Sequence, residues 1–391
     1  MSKKSLKTLG MLLVVVAIVS SVLIIYGNIS VYADNGETVR VSTAKQLKAA
    51  IKNADVGTII FRTDAYINVK IKADENAKSK SLVIDAPHVN FTNKAVFSDI
   101  NIYSANKYIE SVSGNRISLS DSHITDGFFV SKKKKVKSLK IYNSNGEFSN
   151  KYTLRKGAKI KALELIYSED SYPVKSSYDK SKRQLTIEGS YYDYDCFYTI
   201  ELDKNGRMMS IICESGYPEA DYEVYYTYDS SGNIVKLTGT DKLSGEFSKD
   251  ITYSGNLELN SIYKDKYDSI IYTQSYDEAG RLVHREFIGE NGEDGEILKY
   301  GLVYDCEYDK KGRLSFERWE DPESGYFEET SYTYNSKGFL TMMYANDSGA
   351  VTVYEYKYNK AGSMIEETQT SEGYNETLTF KYDELGERIT D

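Results

Sequence analysis

Tyr276-Asp277-Glu278-Ala279-Gly280-Arg281-Leu282 and Tyr308-Asp309-Lys310-Lys311-Gly312-Arg313-Leu314 are two copies of one phrase. It runs aromatic, Asp or Asn, two variable residues, Gly, one variable residue, aliphatic. Further copies start at Leu202, Tyr228, Tyr334, Tyr358 and Tyr382, with degenerate ones at Tyr178 and Tyr253. These nine anchors advance by 24, 26, 25, 23, 32, 26, 24 and 24 residues, a periodicity that marks a repeat array over 171–391. Asp or Asn opening a turn and Gly closing it suit a type I turn whose glycine is left-handed and forms a bulge. Each unit is therefore expected to be a β-hairpin.

The register predicts cross-strand pairs Tyr276–Leu282 and Tyr308–Leu314 on one face. Asp277–Arg281, Asp309–Arg313 and Asp203–Arg207 should pair on the other as exposed ion pairs, each worth under ~1 kcal/mol. Later units replace them: Asn335 meets Phe339, and Asp383 meets Glu387. Tyr226, Tyr332, Tyr356 and Phe380 alternate with Thr227, Thr333, Lys357 and Lys381, so one sheet face reads aromatic and the other polar. Cys196 and Cys213 lie equally far from the turn between Lys204 and Asn205. The bulged register is expected to set Cys196 against Glu214 and Cys213 against Phe197, on opposite faces, which disfavours a disulfide. Cys306 reads as a small core side chain.

Outside the array, Thr43 to Ala54 reads as a helix, with Ser42 or Thr43 as cap and Leu47, Ala50, Ile51 and Ala54 as its apolar stripe. Gly57 ends it. Short β-rich runs follow at Thr58–Phe61, Ser81–Asp85, Val89–Phe91, Ile100–Tyr103, Ile117–Leu119, Val136–Tyr142 and Ile160–Tyr167. Their spacing of roughly 17–24 residues fits strands stacked coil upon coil. With 36 Tyr against one Trp, 27 Gly and only four Pro, the chain is expected to be all-β. The expected order is a short capped parallel β-helix-like module over 34–170, then a meander of about nine antiparallel hairpins over 171–391.

Two family resemblances rest on these residues. Val39-Arg40-Val41-Ser42-Thr43-Ala44-Lys45-Gln46-Leu47 resembles the opening of a right-handed parallel β-helix of the pectate-lyase-like class, in which a helix caps the open end. The cluster of Asp with an Arg base that those lyases require is not visible, so the resemblance implies the fold and not the chemistry. The repeats resemble the YD-repeat, or RHS-repeat, family, whose core reads YDxxGRL. That resemblance implies an extended β-sheet that curls into a shell, often around a C-terminal toxin; no cargo segment follows the array here, so toxin delivery is not expected. A weaker similarity is to the aromatic hairpin repeats of clostridial toxin and choline-type wall-binding modules.

Charge divides the chain. The formal net charge of −9 is made of +3 over 1–33, +8 over 34–170 and −20 over 171–391. The acidic array would repel nucleic acid and anionic membranes. Lys3, Lys4 and Lys7 precede an apolar run from Leu9 to Tyr26, and Val31-Tyr32-Ala33 is a cleavage-type triplet. Residues 1–33 read as a signal peptide, or else an uncleaved anchor, so the protein is expected to be secreted or held at the cell surface. Lys132 to Lys135 with Lys137 is either a solvated loop or a contact for an anionic wall polymer.

Chemistry is sparse. His88, His123 and His284 lack partners at metal spacing, and no catalytic constellation appears, so neither enzyme nor cofactor is expected. Glu290, Glu293 and Asp294 in the longest unit are weak candidates for calcium. Trp319, Tyr344 and Tyr374 lie off the anchor positions and are the candidates for stacking on a glycan. The leading expectation is an exported, non-enzymatic surface protein that binds glycan or another envelope component through repeated hairpins. A reduced polysaccharide lyase or hydrolase with a repeat targeting module, or a scaffold for a secreted effector, are the alternatives.

Overall fold

The structure is a computed structural model that describes residues 36–143, 151–167, 176–191, 194–216, 221–242, 245–264, 268–291, 298–383 and 388–389. It is all-β apart from one α-helix and a 3₁₀ turn. The helix is Ala44–Lys52, opened by Thr43, whose side chain accepts from the Gln46 N–H. Leu47, Ala50 and Ile51 are buried against the first coil, as their spacing predicts. The helix stops at Lys52 with Asn53 as its cap, so Ala54 is outside it and exposed, and Gly57 already belongs to the strand Val56–Arg62. No helix among the described residues is long and apolar enough to cross a membrane.

The parallel coil stacks strands in register. Ile59, Leu82, Ile100, Ile117, Leu139 and Leu163 form one inward ladder. Phe61, Ile84, Ile102, Leu119, Ile141 and Leu165 form a second, two residues on. Alternation inside each strand turns these residues in and their neighbours out. A second face carries Phe91, Tyr108 and Phe128, whose rings stack at 6.0 and 5.3 Å. A third is the short pair Lys135–Val136 and Lys159–Ile160.

One polar knot interrupts this interior. Glu110 is fully buried and accepts from Tyr108 Oη at 2.9 Å, Asn93 Nδ2 at 3.1 Å, Asn115 Nδ2 at 3.2 Å and the Val112 N–H at 3.0 Å. Burial still outweighs those donors and pushes its carboxyl up to about 7. Lys80, also buried, donates from Nζ to the carbonyls of Asn53 and Val56 at 2.7 and 2.6 Å. Both polar groups close corners that aliphatic side chains cannot satisfy.

The array is an antiparallel sheet of 17 strands in sequence order, from Ser176–Asp179 to Tyr374–Thr379. Tyr276 faces Leu282, Tyr308 faces Leu314, and Tyr228, Tyr334 and Tyr358 face Ile234, Leu340 and Met364. The turn glycines are left-handed, with φ of +75° at Gly280 and +79° at Gly312. Tyr382 pairs with Arg388 in a separate two-stranded sheet; Glu387, the expected partner of Asp383, lies outside the described residues.

Two expectations need correction. The hairpins anchored at Leu202, Tyr228, Tyr253, Tyr276, Tyr308, Tyr334 and Tyr358 carry a further one-residue bulge just after the anchor pair, so Leu202 faces Met208 while Glu201 faces Ser210. That extra residue moves Cys196 opposite Ser215 and Cys213 opposite Tyr198, which puts both cysteines on one face. Both thiols are free and buried. The Asp–Arg pairs, expected to be exposed, are instead half-buried, with the Asp203 and Arg207 side chains 16% and 24% exposed. The physical reason lies in how neighbouring hairpins stack.

Candidate functional site

In each complete repeat the Asp carboxylate serves two masters. Asp309 Oδ1 accepts from the Lys311 and Arg313 N–H groups at 2.8 and 3.0 Å, while Oδ2 takes Arg313 Nε at 2.6 Å and also Nη2. Burial alone would raise this carboxyl, but the hydrogen bonds from Arg313 and Lys311 hold it below the usual carboxylate range. The guanidinium thus fixed lies over the anchor tyrosine ring of the next unit. Arg207 covers Tyr228 at 4.7 Å, Arg281 covers Tyr308 at 4.5 Å, and Arg313 covers Tyr334 at 4.4 Å. Phe339 replaces Arg and stacks on Tyr358 at 4.6 Å. The anchor hydroxyl returns to the preceding unit: Tyr228 Oη donates to Met208 O and Tyr334 Oη to Leu314 O, both at 2.8 Å. The Arg and the anchor Tyr of the phrase are therefore links between units, and the Asp holds the Arg in place.

Coil and array belong to one unit of the chain, residues 36–391. The hairpin tips dock along the coil in reverse order. At the last coil, Ile160 N–H donates to Asn205 O at 2.9 Å, Tyr152 Oη to Gly206 O at 2.7 Å, and Arg155 Nη1 to Asn233 Oδ1 at 2.5 Å. At the first coils, Tyr66 N–H donates to Gly338 O at 2.9 Å and Arg40 Nη2 to Ser363 Oγ at 2.7 Å. A Cβ on Gly232 would stand 2.0 Å from Leu154 O. The aromatic sheet face is the one that meets the coil: Leu185, Ile187, Ile200 and Tyr226 share the core of Leu163 and Leu165.

The first-coil end of this seam gathers titratable groups. Tyr66 stacks on His88 at 4.0 Å and meets Tyr334 edge-on at 4.9 Å. Burial pushes His88 down to about 4. Burial also lifts the Asp64 carboxyl to about 6, against the Met364 N–H and the Arg40 and Arg62 charges. These groups are packed ring on ring and bonded to the array, which makes them a structural joint.

The three stacking candidates do not converge. Trp319 is half-buried, 4.6 Å from the Tyr304 ring and 6.1 Å from Phe287. Tyr344 is exposed, but the register sets it on the opposite face of the sheet from Trp319. Tyr374 is 47% exposed and shares the Trp319 face. Sequence reading missed Tyr326, 44% exposed on that same face and likewise the first residue of its strand. Tyr326 Oη donates to Glu328 and Tyr374 Oη to Glu376. The shared Tyr-x-Glu spacing was the available signal. Four strand steps across the sheet and a four-residue offset along it set the two rings about 23 Å apart.

Of the remaining candidates, Glu293 and Asp294 lie outside the described residues, as does the Glu290 side chain. Among the described residues no group of three His, Cys, Asp or Glu is placed to hold a metal. His284 Nδ1 pairs with Asp305 at 2.7 Å, and His123 is exposed.

No known family profile matches the chain, and no curated protein matches it. Among solved structures it is similar to a porin-like protein from Bacteroides uniformis at 12% identity and a TM-score of 0.26, covering 50% of this chain and 92% of that one. It is also similar to the Photorhabdus luminescens Tc holotoxin pore (9%, TM-score 0.19, 56% of this chain) and to the TcdB2–TccC3–Cdc42 crystal structure (11%, TM-score 0.17, 54% of this chain). The chain spans 16% of the length of each of those two toxin chains. At such TM-scores the likenesses carry no argument about fold or function.

Proposed function

We propose that this is an exported, non-enzymatic surface or secreted protein of the YD-repeat kind that binds glycan or another cell-envelope component through its repeated hairpins. The reading is supported above all by Tyr326 and Tyr374, exposed rings on the coil-facing side of the array, at the strand ends away from the docked hairpin tips. Each has a flat apolar surface and a hydroxyl already tied to a carboxylate, the arrangement that suits stacking on a sugar ring. Repetition at a fixed distance lets weak sites act together. Anchor tyrosines are spent on holding units together and take no part.

Glycan-array binding by the full chain, compared with the Y326A/Y374A variant, tests the proposal. Retention of at least one glycan class, weakened about tenfold in the variant, supports it. Loss of no affinity in the variant, or release of reducing sugar by the wild-type protein, overturns it.

A further inference from the structure

The lysine run does not end in its own loop. Val136 and Ile160 are buried, so alternation sends Lys135, Lys137, Lys159 and Lys161 outward. Lys135 pairs directly with Lys159 in the parallel register, and the Lys161 N–H donates to Val136 O, which sets Lys161 beside Lys137. One turn earlier, the Lys133 N–H donates to Lys156 O at 3.1 Å. Two successive coils thus stack their cations in a grid about 4.8 Å across the strands and about 6.6 Å along them. Among the described residues none of these six lysines has an acidic partner in an ion pair. Stacked like charges are costly, and the chain as a whole is acidic. The grid runs into a polar cleft of about 170 Å³ lined by Arg155, Lys156, Asn205, Arg207, Asp229 and Ser230, where two hairpin tips meet the last coil.

We propose that this lysine grid is the binding surface for a flexible polyphosphodiester of the glycerol-phosphate type. The charge centres are all ammonium groups, compact point charges that attract phosphodiester oxygens without the fixed bidentate geometry of a guanidinium, and Arg155 and Arg207 are committed to Asn233 and Asp203. No aromatic residue lies in 131–137 or 156–161, so the stacking platforms of single-stranded nucleic acid binders are missing. The adjoining array, at −20, repels a broad anionic surface such as a membrane but not a thin chain that touches two coils. The proposal rests on the export reading for access to such a polymer, but not on glycan binding by the array.

The test is calorimetric titration of the full chain with poly(glycerol phosphate) over a range of salt concentrations. The K135Q/K137Q/K159Q/K161Q variant should bind at least tenfold more weakly, with the slope of log K against log salt reduced by about 3, the single-strand value for four lost contacts. Its melting temperature at low salt should equal or exceed that of the wild type, because like charges have been removed. K45Q/K48Q/K70Q/K72Q, exposed on the capping helix and the first coils, should bind as wild type does, and so should Y326A/Y374A. Absence of wild-type binding overturns the proposal. So does equal loss in the two lysine variants, or tighter binding of polygalacturonate, single-stranded DNA or phosphatidylglycerol vesicles.

Discussion

At the scale of single residues, the repeat glycines divide into two kinds that the sequence alone does not separate. Gly232 has φ +95° and no room, since any Cβ would stand 2.0 Å from Leu154 O. Gly255 has φ +62° with nothing within 4 Å. Gly255→Ala should cost about 1 kcal/mol, the strain of a left-handed alanine. Gly232→Ala should cost at least about 3 kcal/mol, because a hairpin tip must also lift off the coil. Urea unfolding of the two variants checks the difference, and equal midpoints would contradict the docking geometry. The turn itself was legible because Asp, Gly and Arg each have a local job that spacing reveals. The second demand on Gly232 was not, because the atom it would strike is 78 residues away in the chain.

Elements show the same division. Both coil ladders follow from aliphatic residues at stacking intervals, and the helix from its cap and stripe, so the architecture of the parallel module was readable. The bulge that unites Cys196 and Cys213 on one face was not, because an extra residue in a strand has no compositional mark. The lysine stack was half readable: the run 132–135 stands out, but Lys159 and Lys161 become its neighbours only through a coil of 24 residues. Inside the coil, Glu110 makes a pH prediction. The folded carboxyl ionises at about 7, the unfolded one near its ordinary 4.5. Between those values the folded state holds a proton that the unfolded state has lost, so stability falls as pH rises through this window and is level above it. The loss is on the order of 3 kcal/mol. His88, pushed down to about 4, works the other way below its ordinary 6.5. Comparing wild type with Glu110→Gln at pH 5 and pH 8 isolates the carboxyl. Glu110→Gln should be less stable at pH 5, having set an amide among the four donors Tyr108, Asn93, Asn115 and the Val112 N–H, yet lose less on going to pH 8. An unchanged loss would show that Glu110 is ionised throughout.

For the whole molecule, the hairpin tips use the coil as a rail. Units near Asn205 and Gly232 sit on the last coil, and units near Gly338 and Ser363 on the first, so a chain that reads as two modules is stitched along its length. Antiparallel sheets of this size with half-buried faces gain little from their own core: beyond Tyr226 only Cys306, Phe339 and Met343 are fully buried apolar side chains among the described residues of the array. The array should therefore depend on the coil for much of its stability. Trp319, the only tryptophan, reports the array alone, whereas far-ultraviolet circular dichroism reports every strand. In the wild type both signals should unfold in one coincident thermal transition. Tyr66→Ala removes the ring held between His88 and Tyr334, at a cost of about 3–5 kcal/mol by analogy with large aromatic truncations. Combined with Gly232→Ala, it loosens both ends of the rail, and the Trp319 transition should then precede the bulk of the circular-dichroism change. If the two signals already separate in the wild type, or remain coincident in the double variant, the tips touch the coil without supporting the sheet.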